Sequence, residues 1–422
     1  MKKGLTLGLT TSFLLGFAAS ALAVHGDIPA ETSVIAGNNA KVTIDGAVRL
    51  RGYNKSTDTA ENSSAGYDTR VRLGVHGQMS DATKVYVQLE NGSGSGDNTP
   101  WGISNTANLN SGGEKTPGTL EVLQAWINYE PGMFGMKVGH MPLALGTKLF
   151  FDHTGSGDDA IVAYMNPSSD THIALLTIKF VEGATATNGD DINGYVALVT
   201  QKMGDSKLGF NITNLYQSDS EMNFYNLGLD LALKAGPASI AADLEYQMGD
   251  VNAASSAKGY AATLEASMAA GPVGVGVLVA YGTGDDMTDA DTDTFVNFLT
   301  DTRYQSTMVG YVLANPATGA KNTGIANMLL LSANVTGKGT CPISGKAVSM
   351  KARVNYMTAN EVAAGASDDI GIEFEGFVTW KLDNGLSYGL ELAYLMAGDA
   401  WKVGSVDPED AWFLRNTLEL AF

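Results

Sequence analysis

The chain has 422 residues, of which 44% are apolar and 17% charged, and its formal net charge is −19. Such an acidic chain lacks the basic face that nucleic-acid binding needs, and it is too apolar to be disordered. Its 50 glycines against 11 prolines suit strands joined by tight turns, while the single Cys341 excludes a disulfide framework, a Cys-rich zinc site and a C-x-x-C-H haem attachment.

Met1, Lys2 and Lys3 open the chain, Leu5 to Phe17 is mostly apolar, and Ala21-Leu22-Ala23 is a small-x-small triplet. These are the parts of a secretory signal peptide, with cleavage expected after Ala23. The apolar run is too short to cross a bilayer, which takes about 20 residues. Residues 24–40 are then expected as an N-terminal periplasmic segment and 41–422 as a single domain. Within that domain the longest apolar stretch, Met268 to Gly282, is broken by Gly271, Pro272, Gly274 and Gly276 and reads as two strands around a turn.

From Lys41 onward the chain divides into about 18 segments of roughly ten residues with period-two alternation, the signature of transmembrane strands. They begin with Lys41–Tyr53, Tyr67–Gln78 and Ala82–Asn91. They end with Gly324–Thr336, Lys346–Met357, Asp369–Lys381, Leu386–Ala397 and Asp410–Phe422. Val42, Ile44, Val48 and Leu50 oppose Lys41, Thr43, Asp45, Arg49 and Arg51. Ile240, Leu244 and Tyr246 oppose Ser239, Asp243 and Glu245, and Ile370, Ile372, Phe374, Val378 and Trp380 oppose Glu373, Glu375, Thr379 and Lys381. In a barrel the apolar row faces lipid and the polar row an aqueous lumen. A soluble sandwich alternates with the same period, its apolar rows turned inward.

The connections separate these readings. Short turns such as Glu130-Pro131-Gly132, Gly236-Pro237 and Asp383-Asn384-Gly385 alternate with longer polar loops, the largest being Gly92–Gly118 and Gly282–Thr323. Short periplasmic turns, long outer loops and an even strand count belong together in transmembrane barrels. Tyr53, Tyr129, Phe210, Tyr216, Tyr246, Tyr281, Tyr356, Tyr394 and Trp412 lie near strand ends, as membrane-interface girdles require. The last strand carries Leu414, Leu418, Leu420 and the terminal Phe422 on one parity. The fold expected is all-β: a transmembrane antiparallel β-barrel of about 18 strands, with 16 as the alternative.

By its signal, alternating strands, loop asymmetry and terminal aromatic, the chain resembles the Gram-negative outer-membrane porins over essentially all of residues 41–422. The resemblance implies a homotrimer embedded in outer-membrane lipid, a Phe422 read as an assembly signal, and a third outer loop folded inward as a constriction. By position that loop is Pro142 to Asp158. It contributes Lys148, Phe150, Phe151, Asp152, His153 and Asp158, with Asp159 just beyond. The lumen parity of the early strands supplies Arg49, Arg51, Arg70, Arg72 and Lys84, and the closing strand adds Arg415. The resemblance implies a basic wall opposite the loop carboxylates Asp152 and Asp158. Charges along a narrow aqueous path with low-dielectric walls act strongly on passing ions. The alternative is a polar lining whose arginines pair with Asp45, Asp68, Glu90 and Glu419.

Other signals are weaker. Asp289-x-Asp291-x-Asp293 opens like a Ca²⁺ loop, but Thr294 and Thr300 stand where an EF-hand needs Gly and Glu. His76, His140, His153 and His172 lack metal-ligand spacing. Neither a cofactor nor a metal is expected. The reading is a non-enzymatic porin for passive diffusion of small hydrophilic solutes and ions. Its rivals are a solute-selective, anion-preferring channel, a barrel enzyme, and a barrel sheathing an electron-transfer complex.

Overall fold

The computed structural model describes residues 34–35, 40–56, 63–92, 99–100, 119–184, 189–299 and 304–422. The expected signal peptide and most of loop 92–118 lie outside these residues. Among the described residues no helix is long and apolar enough to cross a membrane.

Eighteen long strands form the barrel. They are β1 Lys41–Ser56, β2 Ser63–Gln78, β3 Thr83–Gly92, β4 Thr119–Tyr129, β5 Phe134–Met141, β6 Asp158–Met165, β7 Thr171–Val181, β8 Ile192–Met203 and β9 Ser206–Gln217. There follow β10 Met222–Ala235, β11 Ala238–Asn252, β12 Tyr260–Ala270, β13 Val273–Gly282, β14 Met328–Thr340, β15 Ala347–Ala359, β16 Asp369–Asp383, β17 Leu386–Ala397 and β18 Ala411–Ala421. Each pairs antiparallel with the next, and β18 pairs with β1 from Ala47↔Ala421 to Ser56↔Trp412. The barrel is therefore closed, and no edge is left for water or another chain to satisfy. Beyond β18, Phe422 keeps the closure register: its N–H donates to Gly46 O at 3.0 Å and Gly46 N–H donates to Phe422 O at 2.9 Å. At the other terminus, Val34–Ile35 adds a short antiparallel pairing to Lys41–Val42.

The expected alternation sets the two faces. On β11 the outward Leu244 is 53% exposed, whereas its neighbour Asp243 is 0% exposed toward the lumen. Outward rows such as Val71-Leu73-Val75 and Val273-Val275-Val277-Val279 form the apolar surface that a bilayer would cover. Tyr129, Phe210, Tyr216, Tyr246, Tyr356 and Tyr394 are exposed on this surface. Tyr53 departs from the girdle expectation. It shares the parity of Arg49 and Arg51 and packs inside the barrel, where it is the register partner of Arg415.

Two further departures have local causes. Ile370, assigned above to the lipid row, is 0% exposed. A bulge takes β15–β16 pairing from Met357↔Gly371 to Thr358↔Asp369, so Ile370 has no partner and turns inward. β14 begins at Met328 and not near Gly324, because Gly324 and Asn327 both take positive φ and hold 324–327 in a turn.

The long connections leave one end of the barrel and the short turns leave the other. Two of the long ones fold into the lumen: L3, residues 142–157 between β5 and β6, and L7 between β13 and β14, of which residues 283–299 and 304–327 are described. Their buried apolar side chains include Leu145, Leu149, Phe150, Phe151, Phe295, Met308 and Ile325.

Candidate functional site

Closure of the sheet brings β18, β1 and β2 side by side, and with them five of the six cations expected in the wall. Arg49 is the register partner of both Arg70 and Glu419, and Arg51 faces Asp68. Arg51 Nε lies 2.9 Å from Asp68, Arg72 pairs with Glu90, and Arg415 lies 2.5 Å from Glu391. Arg70 stands 3.9 Å from Glu90 and 3.8 Å from Glu419. The wall is thus an arginine cluster interleaved with carboxylates, a combination of the two arrangements weighed from sequence. Lys84 is not part of it. It lies across from Gln78 near the short-turn end, six positions below Glu90, or about 20 Å at 3.3 Å per strand residue.

L3 crosses the lumen because its own sequence is apolar at Leu149-Phe150-Phe151. Phe150 packs on Phe224 of β10 and on Phe298 of L7, and Phe151 packs on Phe180 of β7. At the loop's tip, Thr147 donates its backbone N–H (2.9 Å) and its hydroxyl (2.6 Å) to Asp243 Oδ2 on β11. The expected facing carboxylates are used within the loop itself. Asp152 accepts from Thr154 N and Oγ1 and lies 3.3 Å from Lys148 Nζ, while Asp158, already in β6, lies 2.9 Å from His153 Nδ1. Both are buried, so neither stands bare across from the arginines. Asp159 pairs with His140 at 3.0 Å.

The long outer loop expected over Gly282–Thr323 turns into the barrel, a course the sequence reading did not foresee. Phe298-Leu299 runs parallel to Phe151-Asp152 as a two-residue ribbon. Val296 N donates to Gln247 Oε1 at 2.9 Å. Further on, L7 docks on carboxylates of β16: Ser306 Oγ donates to Glu373 at 2.5 Å, Thr307 N to Glu373 and Glu375 at 3.0 Å, and Met308 N to Glu373 at 2.8 Å. Arg353 of β15 pairs with Glu375 and donates to Gln305 Oε1 at 2.7 Å. The missed signal was composition: a purely solvated loop would not carry Phe295, Phe298, Leu299, Tyr304, Met308 and Val309.

L7 also reaches the arginine strands, where Arg415 Nη1 donates to Tyr311 Oη at 3.4 Å. In a closed ring of 18 strands, β10 and β11 lie nine positions from β1 and β2. Asp230, Asp243 and Glu245 are therefore on the strands across the ring from Arg49 and Arg70, and like Asp152 and Asp158 they are buried.

At the mouth, Asp285, Asp286 and Asp293 of L7 bring carboxylate oxygens within 4.8 Å of one another, a set that could hold a cation. Asp289 and Asp291 instead pair with Lys258.

The chain has the fold of the 18-strand outer-membrane channels of the OprD/Occ family. OpdK of Pseudomonas aeruginosa, solved with vanillate, is matched over 90% of this chain and 99% of its own, with a TM-score of 0.59 and 12% identity. OccK2 (OpdF) of the same organism, solved with glucuronate, is matched over 90% and 98%, with a TM-score of 0.57 and 11% identity. OccAB1 of Acinetobacter baumannii is matched over 90% and 97%, with a TM-score of 0.54 and 11% identity. At these identities the likeness is one of fold. No protein-family profile and no curated protein matches the chain.

Proposed function

We propose that the protein is a non-enzymatic outer-membrane channel selective for small anionic solutes, carboxylates in particular. The observation that carries this reading is the clustering of Arg49, Arg51, Arg70, Arg72 and Arg415 on the lumen face of three adjacent strands, β18, β1 and β2, in a barrel whose lumen two inserted loops narrow. A solute passing there exchanges hydration for guanidinium donors, whose planar fork matches a carboxylate. The narrowed lumen favours this reading over the general diffusion pore expected first. OpdK and OccK2 were solved with vanillate and glucuronate, both of which carry a carboxylate, which is consistent with it. The short turns then face the periplasm and the long loops the exterior.

Single-channel recording in a planar bilayer tests the proposal. A small carboxylate should interrupt the current at concentrations where its neutral amide analogue does not. Equal effects of the two, or a channel that prefers cations, would overturn it.

A further inference from the structure

One chain of hydrogen bonds runs along the lumen face of β10 and β11 and joins L7 to the tip of L3. Val296 of L7 holds the Gln247 amide at both ends: its N–H donates to Oε1 at 2.9 Å and its carbonyl accepts from Nε2 at 2.5 Å. The amide so fixed also donates from Nε2 to Asn226 Oδ1 at 3.2 Å. Asn226 is oriented in turn, and its Nδ2 donates to Glu245 Oε2 at 2.6 Å. From the opposite end, Thr147 of L3 donates its N–H and its hydroxyl to Asp243 Oδ2. The loop backbone is pressed onto the same oxygen. Gly146 has φ +54°, and a Cβ there would meet Asp243 Oδ2 at 2.9 Å.

Asp243 and Glu245, two residues apart on one face of β11, close the chain. Their carboxyl groups are hydrogen-bonded to each other. Their remaining oxygens, Asp243 Oδ1 and Glu245 Oε1, receive no N–H or O–H from any other described residue. Two carboxylates offer no donor, so the bond between them requires a proton. The polarity of the chain puts that proton on Glu245. Asp243 takes both donors of Thr147, which suits a charge there, whereas Glu245 takes a single neutral amide. The two side chains are 0% and 2% exposed, and a second charge beside the first would be strongly unfavourable there. The groups around the pair deepen that cost. Asp230 of β10 is the register partner of Asp243, Glu265 of β12 lies one lumen position from the other partner Thr263, and Tyr304 of L7 stands near Asp243. Lys207 Nζ lies 3.7 Å from Asp230, and Lys148 Nζ of L3 lies 3.3 Å from Asp152.

We propose that Glu245 carries one proton shared with Asp243, and that this proton latches L3 in the lumen and releases it as pH rises. With L3 docked, the pair holds one proton. With the tip of L3 lifted, Asp243 loses Thr147 and both carboxyl groups meet lumen water, where each ionises in the ordinary range of about 4. Above that range undocking gives up one proton. Raising the pH therefore draws the loop off its seat, by up to roughly tenfold in the docking equilibrium per pH unit. The climb ends where the docked pair itself ionises. Because the chain continues through Asn226 and Gln247 to Val296, the same proton ties the seat of L3 to an attachment of L7.

The test is single-channel recording of the folded, full-length barrel from mildly acid to mildly alkaline pH. In the wild type, the time spent at a larger conductance should climb with pH, by up to roughly tenfold per pH unit. Glu245→Gln keeps the chain intact, because its amide donates to Asp243 and accepts from Asn226, but it has no proton to lose. It should hold the quiet, low-pH behaviour of the wild type throughout. Asp243→Asn turns the seat of Thr147 into a neutral amide and should show the larger conductance at every pH, without a climb. A wild-type channel indifferent to pH would overturn the inference. So would a Glu245→Gln channel that climbs as the wild type does, since the titrating group would then lie elsewhere. If Glu245→Gln fails to fold, a wild-type climb preserved in Asp243→Asn would decide against the pair.

Discussion

Phe298 of L7 and Phe151 of L3 are register partners in a parallel two-residue ribbon inside the barrel, tied by Phe298 N–H donating to Phe150 O at 2.7 Å. Phe298 also meets Phe150, Phe180 and Phe224, so one aromatic cluster joins both loops to β7 and β10. The two loops therefore constrict the lumen as one body.

Phe298→Asp should separate them. Truncating a packed Phe costs up to about 3–5 kcal/mol, and an aspartate would add an unpaired charge among rings. Single-channel conductance should rise and L7 should become cleavable by protease. Wild-type conductance in the folded variant would show that L7 holds its place without this cluster.

The strand count and the lipid row were legible because both follow from period two, and Val273, Val275, Val277 and Val279 or Arg49 and Arg51 announce their faces directly. What alternation could not give was anything set by tertiary closure. The adjacency of Arg415 to Tyr53 needs the β18–β1 register, and its adjacency to Glu391 the β17–β18 register. The inward course of L7 depends on Ser306, Thr307 and Met308 finding Glu373 across more than 60 residues of chain. Asp152 and Asp158 looked available in sequence, and only the fold of L3 brings Lys148 and His153 onto them. The inward turn of Ile370 required a bulge that no residue in Asp369-Ile370-Gly371 specifies.

Glu373 is the second attachment of L7, taking Ser306 Oγ, Thr307 N and Met308 N. Glu373→Gln replaces one acceptor oxygen by an amide that faces donors. Each hydrogen bond to the charged group is worth about 1.5–3 kcal/mol. The variant should show frequent transitions to a larger conductance while its barrel remains resistant to heat. A single quiet conductance level equal to the wild type would show that Glu375 and Arg353 suffice.

Cys341 reports orientation. It opens the turn 341–346 at the short-turn end, and hydrogen bonds from the Ser344 side chain and the backbone of Ser344 and Ile343 lower its thiol to about 7. The thiolate is the reactive form, so labelling by a membrane-impermeant maleimide should climb as pH rises through 7. Ser344→Ala should move that climb toward the ordinary thiol value of about 8.5. Label should enter in lysed cells and not in intact ones. Rapid labelling of intact cells would reverse the assigned topology.

Selectivity separates the arginine wall from the loop carboxylates. Replacing Arg49, Arg51, Arg70 and Arg72 by Gln removes four charges from the lumen face of β1 and β2 and leaves Asp68, Glu90 and Glu419 uncompensated. The reversal potential in a KCl gradient should move strongly toward cations. Replacing Asp152 and Asp158 by Asn should move it little, because both groups are buried, and Lys148 lies 3.3 Å and His153 2.9 Å from them. The arginine effect should fade at high salt, since the Debye length falls from about 10 Å at 0.1 M to about 3 Å at 1 M. The outcome that sinks the assignment is the reverse pattern. An arginine variant with the wild-type potential and an aspartate variant with a shifted one would place the ion path against L3 and not along β18, β1 and β2.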